Sequence, residues 1–293
     1  MMEDLLALIV SAAVAAALTP AALRDFTRNG WLRSNWRGRD MPFPAGVLCV
    51  AFTLTSIVVL AVIEMLTDLD LLVGDVLALG MGIAFLGLLD DLLDAPARGL
   101  RGHARALLGG GFSTGVLKAV GTLALALAVL PDRSDGIGEL AISVSVLVLA
   151  TNAFNLLDLR PGRAAKAFAL LAVALLAITR DSGPLRELGV LIGPLMVLGL
   201  YDLRERAMLG DTGSNLLGAL AGFWMVTTLD LGGELAALAT LAALTAYGEL
   251  RSISHTIEAF GPLRALDRIG RLPEPAVTAV RRDAPGPPDT AGS

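Results

Sequence analysis

Three groups of residues in this chain could carry out chemistry. They are Asp90, Asp91 and Asp94 in LGLLDDLLD, Asn152, Asn155 and Asp158 in TNAFNLLD, and Asp211 in LGDTGSN. Each lies at the end of a long apolar run, and ionisable groups at membrane depth are costly enough that they usually mark a site. On a helix Asp90 and Asp94, four apart, share a face, while Asp91 points partly away. Carboxylates crowded at a helix end repel unless a cation or a proton relieves them, and oxygen ligands of this kind suit Mg²⁺ or Mn²⁺. A solvated helix end is the plain alternative, and it is strongest for Asp94.

Asn152, Asn155 and Asp158 are spaced by three and form a drifting stripe on one side of a helix. Such asparagines could read a base edge, ligate a metal or join helices as polar glue. Gly210, Asp211, Thr212, Gly213 and Ser214 open a helix, where free backbone N–H groups and small residues suit an anion. Asp211 or Thr212 could equally be a simple N-cap. The loop RGLRGHARALLGGG adds arginines, of which Arg98 and Arg105 are the candidates for clamping a diphosphate. His103 and His255 are the only histidines, and both read as surface residues.

The elements that must position these groups are apolar. The chain has 293 residues, is 55% hydrophobic with only 17% charged, and the apolar residues come in blocks. Its mean hydropathy is +0.69. Soluble domains carry about a quarter charged residues, so the composition predicts an all-α, polytopic transmembrane helical bundle. A bilayer core of about 30 Å needs roughly 20 apolar residues per helix. Nine spans are expected, near 4–20, 44–66, 71–93, 114–131, 138–157, 164–180, 186–202, 212–229 and 234–250. The acidic start, with Glu3 and Asp4, is unlike a secretory signal, so the first span reads as retained. The single Cys49 excludes an intramolecular disulfide and a cysteine-rich zinc site. A net charge of −5 gives no reason to expect nucleic acid.

Placing the N-terminus outside and alternating the spans puts 20 of the 23 basic residues on the inner side, leaving only Arg133, Arg180 and Arg186 outside. That asymmetry is what the positive-inside rule predicts. The same orientation brings all three polar groups to the cytoplasmic face, although nothing used to place the spans required it. Residues 1–254 are read as the membrane domain, 255–272 as a cytoplasmic amphipathic segment, and 273–293, rich in Pro, Gly and Asp, as a disordered tail.

LLDDLLD, then RGL at 98–100, NAFNLLD at 152–158 and GDTGSNLLG at 210–218 together resemble the polyprenyl-phosphate N-acetylhexosamine-1-phosphate transferases, the phospho-N-acetylmuramoyl-pentapeptide transferase-like enzymes of glycosyltransferase family 4. NGWLRSNWRGRDMPFPAG at 29–46 is similar, more weakly, to that family's first cytoplasmic loop. Order, spacing and sidedness agree over roughly residues 1–250.

The resemblance implies a plasma-membrane enzyme with its active site on the cytoplasmic face. It implies that a polyprenyl-phosphate oxygen attacks the β-phosphorus of a UDP-amino sugar, with Mg²⁺ assisting (Mn²⁺ is an alternative), and that UMP leaves. Carried onto this chain, it implies catalytic roles for Asp90, Asp91 and Asp158 and a metal held by Asn152, Asp158 and Asp211. It implies substrate contacts from Asn155, Arg98, Arg105, Gly210 and Ser214, serves cell-envelope glycan synthesis, and leaves a homodimer open. The chain departs from the family after Asp158, where LRPGRA stands in place of a second acidic stretch. It also lacks the histidine cluster of the last cytoplasmic loop and a tenth span. Two other readings compete. A family member without catalysis could act as a scaffold. An ion-coupled transporter could use the carboxylates, although such carriers commonly show repeats and mid-membrane breaks that are not found here.

Overall fold

The computed structural model describes residues 2–67, 74–93, 113–133 and 136–273. Among these, eleven α-helices, one short hairpin and a single 3₁₀ turn, Pro131–Arg133, account for the regular structure. In chain order they are α1 (Met2–Arg28), β1 (Leu32–Ser34), β2 (Asp40–Pro42), α2 (Val47–Leu66), α3 (Asp75–Leu93), α4 (Thr114–Val129), α5 (Ile137–Leu157) and α6 (Arg163–Thr179). They continue with α7 (Gly183–Leu203), α8 (Gly210–Thr228), α9 (Leu231–Leu250), α10 (Ile253–Ala259) and α11 (Gly261–Arg268).

Each of the nine apolar segments expected from the sequence is helical. Six of the nine helices (α1, α2, α3, α5, α7 and α9) are long and apolar enough to cross a membrane, and α4 is apolar but shorter. Large apolar side chains such as Val58, Met65, Phe85, Val173 and Ile178 are exposed on the bundle's outside. In water such a surface would be a liability, whereas against lipid tails it is the ordinary state of a membrane helix.

The first helix is longer than the sequence suggests. It was expected to end near residue 20, but it passes through Pro20 and reaches Arg28. A proline removes one backbone hydrogen bond and crowds the preceding turn. Here the turn beyond it buries Leu23 and Phe26, and α1 packs along α7 for much of its length. That burial offsets the local cost.

α8 is the central helix. Every residue from Thr212 to Val226 is buried. It contacts α3, α5, α6 and α7, with Trp224 edge-on to Phe168 of α6 at 6.4 Å. Close approach depends on glycine. A Cβ on Gly87 of α3 would stand 2.5 Å from the Asp211 carbonyl oxygen. A Cβ on Gly218 would stand 2.6 Å from the backbone of Ala150 and Thr151 in α5. The start of α8 is therefore held at backbone contact with α3, and its middle with α5.

Candidate active site

The start of α8 is fixed from two sides. On one side is the hairpin, paired from Leu32 opposite Pro42 to Ser34 opposite Asp40. The strand after it runs beside the loop that leads into α8. Met208 N donates to Pro42 O at 3.0 Å, Ala45 N to Met208 O at 2.8 Å, and Gly46 N to Leu209 O at 2.9 Å. A buried ion pair, Arg37 Nε to Glu205 Oε1 at 3.0 Å, ties the hairpin tip to the same loop. The weak NGWLRSNWRGRDMPFPAG signature thus has a structural role. It braces the segment that delivers Asp211.

On the other side is Asp91, near the end of α3. Its Oδ1 accepts from Asp211 N at 2.8 Å, and its Oδ2 from Thr212 N at 2.9 Å and Thr212 Oγ1 at 2.6 Å. The first N–H groups of a helix have no partner within it, and this carboxylate supplies one from a neighbouring helix. Gly210 makes the room. Its φ is +71°, and a Cβ there would lie 2.7 Å and 2.8 Å from the two Asp91 oxygens. Asp91 is buried and fully engaged, so its first physical role is to cap α8.

Asp90 turns elsewhere. Lys118 Nζ, from α4, lies 2.6 Å from Asp90 Oδ2 and 2.6 Å from Asp211 Oδ2. The cation that stands between these two carboxylates is therefore an ammonium. Asn155 Nδ2 donates to the same Asp211 oxygen at 3.4 Å, and Asn155 Oδ1 accepts from Ser214 Oγ at 3.3 Å. Four helices, α3, α4, α5 and α8, each place a polar side chain in this cluster.

Asp211 also lines a cavity of about 560 Å³ with Asp91, Asp158, Asp202, Glu205, Arg33 and Trp36 among its walls. Arg33 Nη2 donates to the Asp91 carbonyl at 3.3 Å, and its guanidinium lies 4.1 Å from the Phe43 ring centre. Asp202 Oδ2 accepts from Gly162 N at 2.6 Å. Asp158, which follows α5, is the strained acid. Burial, and then the charges of Asp202, Asp211 and Asp91, hold its carboxyl well above the usual range, while Arg163 pulls it down. A divalent cation or a proton would relieve such a group.

On the membrane side of Asp211 is a second cavity of about 340 Å³, lined by Lys118, Asn152, Asn155, Asn215 and Thr245 among others. It shares Ala119, Val148 and Leu149 with an apolar groove of about 500 Å³ between α4, α5 and α9. Asp211 thus lines the polar cavity, while its partners Lys118 and Asn155 line the second cavity, which adjoins the apolar groove.

The residues singled out in the sequence are not all in one place. Asp90, Asp91, Asn155, Asp211 and Ser214 form one connected cluster, with Gly210 directly behind Asp91. Asp158 faces Asp211 across the polar cavity. Asn152 faces the apolar side and donates to Thr245 Oγ1 of α9 at 3.3 Å. Asp94, Arg98, His103 and Arg105 lie outside the described residues. Lys118, Asp202, Arg33 and Trp36 were not singled out. Lys118 had been counted only as one more inner-side charge, although a lysine one turn inside an apolar helix is itself costly unless paired. Asp202 ends an apolar run as the other acids do, and YDLRER gave that signal.

Comparison with known proteins places the chain in a family. The model described as "Glycosyl transferase family 4" matches residues 73–229, just over half of the chain. The chain belongs to glycosyl transferase family 4. The matched stretch runs from α3 to the end of α8 and contains every member of the cluster. The phospho-N-acetylmuramoyl-pentapeptide-transferase of Moorella thermoacetica is similar over nearly the full length. It is 29% identical over 303 residues, covering 94% of this chain and 93% of that protein. This family 4 member is accordingly a multi-pass membrane protein of a transferase family.

The family implies a divalent metal, and the residues present can be tested against one. Among the described residues no three of His, Cys, Asp and Glu are gathered tightly enough to hold a metal ion by themselves. Mg²⁺ seldom needs such a cage. It is commonly held by one or two carboxylates, with substrate phosphates and water completing its shell. Asp158 and Asp211, both on the polar cavity, are the carboxylates that could contribute to such a donor set.

Proposed function

We propose that this chain transfers a sugar-1-phosphate from a UDP-amino sugar to a polyprenyl phosphate and releases UMP, in the making of cell-envelope glycans. The observation that carries this reading is the position of the Asp211, Lys118 and Asn155 cluster between a polar cavity, lined by Asp211, and a second cavity, lined by Lys118 and Asn155, that adjoins an apolar groove. A reaction that joins a soluble nucleotide sugar to a lipid phosphate needs that junction. The polar cavity is sized for a nucleotide sugar, since ligand pockets run to roughly 300–1,000 Å³. The groove between α4, α5 and α9 is apolar along its length, as a prenyl chain requires.

Phosphoryl transfer is mostly positioning and charge neutralisation. In this reading Lys118, which lines the cavity adjoining the groove, meets the lipid phosphate as it arrives. It then shares its charge between that phosphate, Asp90 and Asp211. Asp90 holds Lys118 in place for that contact. Asp91 does not enter the chemistry directly. It fixes the first turn of α8, so that Asp211, Asn155 and Ser214 keep their places. Asp158 and Asp211 would hold Mg²⁺, which when bound neutralises the donor diphosphate. Arg33 and Trp36 line the cavity where the nucleotide would sit. The topology that accompanies this reading has nine crossings, with the N-terminus outside and the site facing the cytoplasm of the plasma membrane. Nothing in the fold or the comparisons supports a homodimer.

The test is incubation of purified protein with undecaprenyl phosphate, Mg²⁺ and a panel of UDP-amino sugars, read as UMP release. Release that needs both the lipid phosphate and one UDP-sugar bears the reading out. A protein that binds a UDP-sugar and never releases UMP with any lipid phosphate is a scaffold instead.

A further inference from the structure

After α9 the chain does not leave the bundle. α9 ends at Leu250 and α10 begins at Ile253, so the arm formed by α10 and α11 starts within two residues of a membrane helix. Its far end is pinned as well. Arg163, the first residue of α6, donates to Asp267 of α11 through Nε at 2.9 Å and Nη2 at 3.2 Å, and to Ser254 of α10 through Nη1 at 3.0 Å. Arg271 Nη1 adds a second cation on Asp267 at 2.6 Å. Lys166, one turn further along α6, donates to the carbonyls of Leu266, Asp267 and Ile269. These contacts gather the orphan acceptors at the end of α11. One fixed point follows the end of α9, a candidate membrane span, and the other is the first residue of α6.

The arm is two-sided. With Asp267 turned to Arg163, helical spacing puts Leu263 and Leu266 on one flank and Arg264 and Arg268 on the other. Ile269 and Leu272 continue the apolar row past the helix. These side chains are uncovered, with Leu263 at 41%, Leu266 at 38% and Ile269 at 61% exposure. Phe260, before the helix, is 56% exposed. Tyr247 and Leu250, at the end of α9 that leads into the arm, are also exposed. Tyrosine at such a level is typical of a membrane–water boundary.

We propose that α10 and α11 form an interfacial arm whose apolar row, Phe260, Leu263, Leu266 and Ile269, is seated in the lipid surface beside α9. The occupant is lipid because the tether after Leu250 and the Arg163–Asp267 bridge hold the arm at the level where the membrane helices end. The row starts shortly after α9, a helix long and apolar enough to span a membrane and with most of its surface exposed. A strongly two-sided helix with a basic polar face is the usual form of such an element. The arm also reaches the polar cavity. Arg37 of the hairpin donates to the carbonyls of Leu272 and Pro273, both at 3.1 Å. Arg271 and Arg160 both lie over the Trp36 ring, at 5.4 Å and 4.3 Å. The arm therefore couples the cavity rim to the lipid surface. The inference rests on the membrane character of the bundle and not on the proposed reaction.

The experiment uses the full chain with Cys49→Ala, in nanodiscs of neutral phosphatidylcholine, with single spin labels on Leu266→Cys, Ile269→Cys and Arg268→Cys. Labels at 266 and 269 should be accessible to oxygen and shielded from a water-soluble nickel chelate. The label at 268 should show the reverse. Equal nickel accessibility at all three positions overturns the proposal. So does dipolar broadening between labels at 269, which would mean that a second copy covers the row. Amide exchange of the chain with no label, compared between nanodiscs and an amphipol without lipid, is independent of the substitutions. Protection of 260–269 should be greater in nanodiscs, and equal protection counts against the arm.

Discussion

Lys118 Nζ stands 2.6 Å from Asp211 Oδ2 and at the same distance from Asp90 Oδ2. One ammonium thus joins two carboxylates on facing helices, which would otherwise repel one another in a partly buried space. The lysine sets the spacing of the two acids that the proposed reaction uses.

Lys118→Met should lower UMP release by at least about 100-fold, the usual order for removing one preorganised charge at a reacting phosphate or oxyanion. Lys118→Arg should fall between the two, because a planar fork does not replace a point charge set between two oxygens. The check is single-turnover UMP release on protein that remains monodisperse. If Lys118→Met kept wild-type turnover, the role given to the lysine would be lost.

Asp91 gives a prediction of a different kind. Asp91→Ala would strip the acceptor from two backbone N–H groups and one hydroxyl at the buried start of α8. Leaving buried donors unpaired costs on the order of 1–3 kcal/mol each. A clear drop in thermal midpoint in detergent is expected, with a loss of activity. Asp91→Asn keeps one acceptor oxygen and should lose less stability. A variant with full stability and no activity would instead assign Asp91 to the chemistry.

Much of this arrangement was legible in the sequence, and the part that was not has a physical cause. Length and hydropathy placed all nine long helices, because a bilayer-length apolar run leaves few alternatives. The acids at the ends of those runs were legible for the same reason. The division of labour between Asp90 and Asp91 was not, since adjacent residues on a helix end differ only in which neighbour they face. Asp91 faces residues 120 and 121 positions away, Asp90 one 28 positions away. Lys118 was hidden for a related reason. At the inner end of a helix a lysine is ordinary, and only the fold sets it against Asp90 and Asp211. The passage of α1 through Pro20 was missed because the local rule against proline was outweighed by packing on α7.

The glycine of α3 is a direct test of the packing. A Cβ at Gly87 meets the Asp211 carbonyl and the Thr212 backbone at 2.5–2.8 Å. Backbone cannot yield as a flexible side chain can. Gly87→Ala should push α3 from α8, at a cost of about 1–3 kcal/mol typical of overpacking. It should also lower UMP release, since Asp211 would move relative to Lys118. Gly74→Ala, where nothing lies within 4 Å, is the control and should change neither quantity.

Asp267 links the arm to pH. Burial raises its carboxyl, but the hydrogen bond from Arg163 and the charges of Arg163, Arg271 and Lys166 outweigh this, and the net result lies below the usual aspartate range. A carboxyl lowered in the folded state contributes stability above its unfolded pKa, and loses it as pH falls through the folded value. The arm should therefore stay docked from neutral pH down to about pH 4, near the ordinary value for aspartate, and loosen only below that. Asp267→Asn should loosen it at every pH, because the buried Arg163 loses its anion. Breaking one side of such a pair typically costs about 3–5 kcal/mol. Amide exchange of residues 253–272 in nanodiscs at pH 7 and pH 3 reads both effects. Wild-type protein should gain exchange on acidification, and the Asn variant should exchange fast at both values. A wild-type arm already open at pH 7 would show that the Arg163–Asp267 bridge does not hold it.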